Sequence, residues 1–190
     1  MIIAIRHGET DWNAKEAHGT EDAEILRGNL DVPLNDQGKQ KVLESAHEIC
    51  PRYPVHEVRS SPDYQRATET RHILAEVCQV PEVDAPEFAP YDPGSLSGKP
   101  ISLIGDILEY LIDIPFLAAP GGGQSFEEYF QNFANAWHSL YSEYGGDDSK
   151  AVVVVLFGNE FRALPAILQG KPVDRHATTK VKPGEYVVVP

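Results

Sequence analysis

The chain opens on an apolar run, Met1-Ile2-Ile3-Ala4-Ile5, that stops abruptly at Arg6-His7-Gly8-Glu9-Thr10. An apolar run of this length, ended by a turn signal, reads as a buried β-strand. In open α/β sheets, ligands bind just beyond the carboxyl ends of the strands. The residues that follow the run suit such a place. Arg6 offers a planar fork of donors that matches a phosphate. A neutral His7 offers a ring nitrogen as nucleophile near physiological pH. Gly8 permits a tight turn and a close approach of backbone to a ligand.

The remaining segments alternate between strand and helix patterns. Val42, Leu43, Ala46, Ile49 and Cys50 recur at helical spacing over 37–50, with Asn35 or Asp36 as the cap. Residues 55–59 read as a strand, and 66–77 as a helix stopped by Pro81. Glu82-Val83-Asp84 reads as a short strand. The apolar stretch 102–117 is helical and ended by Pro115. Ser125 with Glu128 forms a capping box for the next helix. Phe126, Tyr129, Phe130, Phe133, Trp137, Leu140 and Tyr141 fall on one face of that helix, as core packing. Ala151-Val-Val-Val-Val-Leu-Phe157 is a β-branched buried strand, Gly158-Asn159-Glu160 turns into a helix over 161–168, and Tyr186–Val189 is a last strand. This order predicts a three-layer α/β/α domain with a mostly parallel central sheet. At 190 residues the chain is expected to form one domain, 1–190.

A formal net charge of −13 argues against nucleic acid or an anionic membrane as partner. No apolar run reaches membrane-spanning length, and no secretory leader is evident. Cys50 and Cys78 suggest neither a disulfide framework nor a metal site, which fits a reducing, cytoplasmic setting. No carboxylate or histidine cluster has ligand spacing, so neither metal nor cofactor is expected.

Arg6-His7-Gly8-Glu9-Thr10 with Trp12-Asn13 resembles the signature of the histidine phosphatase, or phosphoglycerate-mutase-like, superfamily. Further stretches carry the same resemblance. They are Gly28-x-x-Asp31-x-Pro33-Leu34-x-x-x-Gly38, Ser60-Ser61-Pro62 followed by Arg66-Ala67-x-x-Thr70, Gly94-x-Leu96-x-Gly98, and Gly158 with Phe161-Arg162-Ala163-Leu164. The resemblance implies a phosphohistidine at His7, with Arg6, Arg66 and Asn13 holding the phosphoryl group. Arg66 stands four residues after Pro62 where the family usually has three, and Arg59 is the reserve. The gap 14–27 reads as a loop insertion at the mouth of the site, in the position of a lid.

Two family positions depart from the pattern. The general acid, usually a Glu, falls at Pro90, so Asp92 is the candidate and Glu87 the alternative. The second catalytic histidine falls at Phe157, which has neither donor nor charge. Losing one preorganised donor to a developing anion typically costs roughly 10²–10³ in rate. His18 and His176 are the histidines that could substitute. The expected activity is hydrolysis of a small phosphomonoester, weakened at Phe157, with inorganic phosphate as product. The alternative is a phospho-ligand-binding or regulatory protein on the same scaffold. A mutase is less favoured, because the chain is short for one and shows no obvious cap.

Overall fold

The first strand is buried on both faces: Ile2 and Ala4 enter one apolar core, and Ile3 and Ile5 enter another on the opposite face. A computed structural model describes residues 1–13, 25–174, 176–177 and 181–189. The strands are β1 (Ile2–Arg6), β2 (Val55–Ser60), β3 (Glu82–Asp84), β4 (Ala151–Leu156) and β5 (Tyr186–Val189). The helices are α1 (Asp36–Ile49), α2 (Gln65–Cys78), α3 (Ile101–Asp113), α4 (Phe126–Tyr144) and α5 (Gly158–Leu168). The sheet runs β3-β2-β4-β1-β5, parallel except for β5 at its edge. Side chains of α1 and α2 complete one core, and those of α3, α4 and α5 the other. This is the expected three-layer α/β/α arrangement with a mostly parallel sheet.

Some expectations change. Helix α5 begins at Gly158, three residues earlier than the sequence suggests, so Asn159 and Glu160 belong to its first turn. Tyr141 is 43% exposed, and Tyr144 takes its place in the core. Cys50 and Cys78 are joined as a disulfide, with Cα atoms 5.0 Å apart, against the expectation of none. Packing of α1 beside α2 brings their carboxyl ends together, which spacing along the chain does not reveal. The pair therefore gives no reason to place the chain in a reducing compartment. Among the described residues, no helix is long and apolar enough to cross a membrane. Most of the 14–27 segment lies outside the described residues.

The loop after β1 is gripped by the start of α1. Asn35 caps that helix by accepting from Gly38 N–H at 2.7 Å, and its amide donates to Glu9 Oε1 at 3.0 Å. Gly8 has no left-handed backbone; it is small because α1 is close. A Cβ on Gly8 would stand 2.9 Å from Gly38 O and 2.9 Å from Val42 Cγ2. On Gly38 it would stand 2.1 Å from Glu9 O, which is backbone and cannot rotate away.

Gly→Ala inside a helix ordinarily stabilises by roughly 0.5–1 kcal/mol. Gly38→Ala is expected to do the opposite, costing about 1–3 kcal/mol through overpacking. Urea unfolding would read this as a lower midpoint at unchanged m-value. A raised midpoint would show that the loop is not held as described.

Candidate active site

Strand pairing sets the geometry. Arg6 pairs with Leu156, and the His7 N–H donates to the Leu156 carbonyl at 3.0 Å. One step further along, His7 and Phe157 leave adjacent strand ends side by side, their rings 5.3 Å apart. On the other side of β4, β2 feeds the loop into α2, whose first turn carries Arg66. His7, Phe157, Arg6 and Arg66 thus line one cavity of about 300 Å³, with Arg27 and Arg162 also in its wall.

Arg66 is 2% exposed. Its guanidinium lies over two rings that meet edge to face, 4.8 Å from the centroid of Phe157 and 5.1 Å from that of Tyr64. Nη1 donates to the Leu30 carbonyl at 2.5 Å and Nη2 to the Gly28 carbonyl at 2.9 Å, while buried Nε has no acceptor among the described residues. Burial, with the Arg27 charge second, lowers its pKa to about 10, so it stays charged at neutral pH. Arg6 donates to the Val181 carbonyl at 2.8 Å and lies against Gly158.

His7 is buried, and burial is the first cause that lowers its pKa well below 6.5, followed by the charges of Arg66 and Arg27. The ring is therefore neutral. Its Nδ1 stands 2.7 Å from the Gly8 carbonyl, which can only accept, so Nδ1 carries the proton. Nε2 is left with the lone pair. Thr70 supports the loop from beneath: its hydroxyl accepts from Gly8 N–H at 3.0 Å and donates to Arg66 O at 2.7 Å.

The other candidates are spread more widely. Asp92 is near the cavity but does not line it. Its carboxylate accepts from Gly94 N–H at 2.8 Å and from Asn29 at 2.9 Å, closing the turn 94–96. Its neighbours Pro90 and Tyr91 do line the cavity. Glu87 is exposed and outside the wall. Arg59 pairs with Glu57 and Glu143, away from the cavity. His176 pairs with Asp113 at 3.3 Å on the surface. Asn13 ends a short turn, Asp11–Asn13, but its side chain lies outside the described residues, as does His18. Among the described residues no carboxylate lines the cavity, and no group of three or more His, Cys, Asp or Glu could hold a metal.

Sequence reasoning did not assign roles to Arg27, Arg162 or Glu160. Arg162 sits in the Phe161-Arg162-Ala163-Leu164 motif, which was a usable signal. Glu160 is wholly buried beneath the cavity, and its Oε2 accepts from Phe157 N–H at 3.0 Å. Phe157 cannot return that bond, so only half of a capping box is formed. Desolvation is the main cause that pushes the Glu160 carboxyl up to about 7, opposed by the Tyr129 hydroxyl, backbone N–H groups and Arg66. With Phe rather than Ser or Thr at position 157, the sequence carries no capping-box signal for it.

The fold is that of the phosphoglycerate-mutase-like α/β proteins. It superposes with a TM-score of 0.77 on YhfR of Bacillus stearothermophilus, at 22% identity and covering 97% of this chain and 88% of that one. The chain belongs to the histidine phosphatase superfamily (branch 1), which it matches over residues 2–190. It is 30% identical over 169 residues to phosphoglycerate mutase-like protein 4 of Arabidopsis thaliana, covering 86% of this chain and 68% of that protein. It is 28% identical over 172 residues to the metal-independent phosphoserine phosphatase of the same plant, covering 86% of this chain and 66% of that one. The chain thus spans about two thirds of the length of these relatives.

The His7 ring is expected to titrate below 6.5 when followed by the NMR shift of its Cε1 proton. Arg66→Gln removes a repelling charge and should move that midpoint upward. An unshifted midpoint near 6.5 would mean that the ring is not buried among arginines.

Proposed function

We propose that the chain hydrolyses phosphomonoesters through a phosphohistidine at His7. One observation carries this reading: a neutral, buried imidazole with its Nδ1 proton committed stands in the same cavity wall as four arginines. Nε2 attacks phosphorus, and a P–N bond forms as the P–O bond to the leaving group breaks. The departing alkoxide takes a proton from Asp92 at the rim. Water then attacks phosphorus and returns a proton to the Asp92 carboxylate. The P–N bond breaks, and inorganic phosphate leaves. Arg6, Arg66 and Asn13 position the phosphoryl group and offset its charge. The phosphatase name of one relative supports the class of reaction.

The second reading, a phospho-ligand-binding protein with little turnover, is favoured by Phe157. At the position where the resemblance implies a second histidine, the chain carries a ring that stacks on Arg66 and offers no donor.

Hydrolysis of p-nitrophenyl phosphate separates the two. The chain should turn over slowly, His7→Ala should abolish it, and Phe157→His should accelerate it by roughly 10²–10³. Turnover confined to Phe157→His would make the natural chain a binder. The role of Asp92 shows in a contrast between leaving groups. General acid catalysis contributes roughly 10²–10⁴ where the leaving group needs a proton. Asp92→Asn should therefore slow alkyl phosphates far more than p-nitrophenyl phosphate. An equal loss on both would remove Asp92 from the mechanism.

A further inference from the structure

Resting on the hydrolytic reading above, we propose that the esters this cavity takes carry an apolar organic group. Its walls divide by chemistry. The strand ends and the turns beside them supply His7 and the arginines. Helix α3 supplies Ile101, Leu108 and Ile112, and no polar side chain. The spacings of seven and four residues put these three on one helix face. Leu26 and Phe126 extend the same wall, and Phe126 is held flat against Tyr91 at 4.3 Å. The polar residues of α3, Ser102, Asp106, Glu109 and Asp113, are exposed and do not line the cavity.

The aliphatic face is not ordinary core. Ile104 and Leu111 of the same helix are buried to 6% and 2% exposure, whereas Ile101, Leu108 and Ile112 stay only partly covered. An apolar group entering the cavity removes that surface from water, which favours binding. A polyhydroxylated group would meet few acceptors. Among the described lining residues, only Asn159 and Tyr91 have side-chain oxygens that can accept. Hydroxyls pressed against aliphatic carbon lose their water partners without replacement. The phosphoryl end is gripped by charge, and the organic end is selected by burial.

Two non-hydrolysable dianions test this by titration calorimetry on the intact chain: benzylphosphonate and 2-hydroxyethylphosphonate. Benzylphosphonate should bind roughly tenfold tighter or more, the scale of discrimination that small apolar differences produce in a hydrophobic pocket. Leu108→Asn with Ile112→Asn should erase that preference. Equal affinities on the natural chain, a test that needs no variant to fold, would overturn the proposal; so would a preference that survives both substitutions. Hydrolysis of 1-naphthyl phosphate and glycerol phosphate separates this idea from the one beneath it. A binding preference without turnover of either ester would end the hydrolytic reading and support the apolar selection. Turnover of both without preference would do the reverse.

Discussion

The pairing of β1 with β4 is the constraint from which the cavity follows. Both strands are wholly buried along their apolar lengths, so neither has a solvent face to trade away. They come from opposite ends of the chain and lie parallel in register, Ile2 opposite Val152 through Arg6 opposite Leu156. A slip of one residue would send every apolar side chain to the other face. That register sets His7 beside Phe157 and lays Arg6 against Gly158. The turn before the edge strand secures it: Gly184 N–H donates to the Arg6 carbonyl at 3.0 Å, and Ser45 donates to Gly184 O at 2.6 Å.

Concentrating cations in an acidic protein requires local compensation. Burying a guanidinium costs several kcal/mol unless its donors and faces find partners. Arg66 finds two backbone carbonyls and two aromatic rings and, among the described residues, no carboxylate in contact. Rings and carbonyls hold it without cancelling its charge, so its field stays available to the cavity. Phe157 contributes to this as a plate for the cation. Glu160, the nearest buried acid beneath the wall, has its carboxyl raised toward neutrality by the same desolvation.

Much of this was legible in the sequence where a local rule decides the outcome. The apolar run and its stop place His7 at a strand end. Asn35 and Ser125 cap the helices assigned to them, and the four-residue step from Pro62 still delivers Arg66 to the first turn of α2. What was not legible depends on contacts between distant segments. The Cys50–Cys78 bridge needs the side-by-side packing of α1 and α2. Arg27 reaches the wall from a loop with no period. Asp92 was located by counting residues, and counting cannot tell that its carboxylate closes a turn. Glu160 looked like part of a turn because Gly158 and Asn159 precede it, whereas they form the first turn of α5.

An aromatic hydrocarbon beside His7 has one more consequence. Phe157 never gains or loses a proton, and the arginines keep theirs: even buried Arg66 does so up to about 10, while Tyr91 is held up to about 12. Apart from His7, the described wall of the cavity presents the same electrostatic face from mildly acid to mildly alkaline solution. A phosphate ester has its own second ionisation near about 6. Across that span the guest's proton and that of Glu160, beneath the wall with its carboxyl pushed up to about 7, govern how firmly the guest is held.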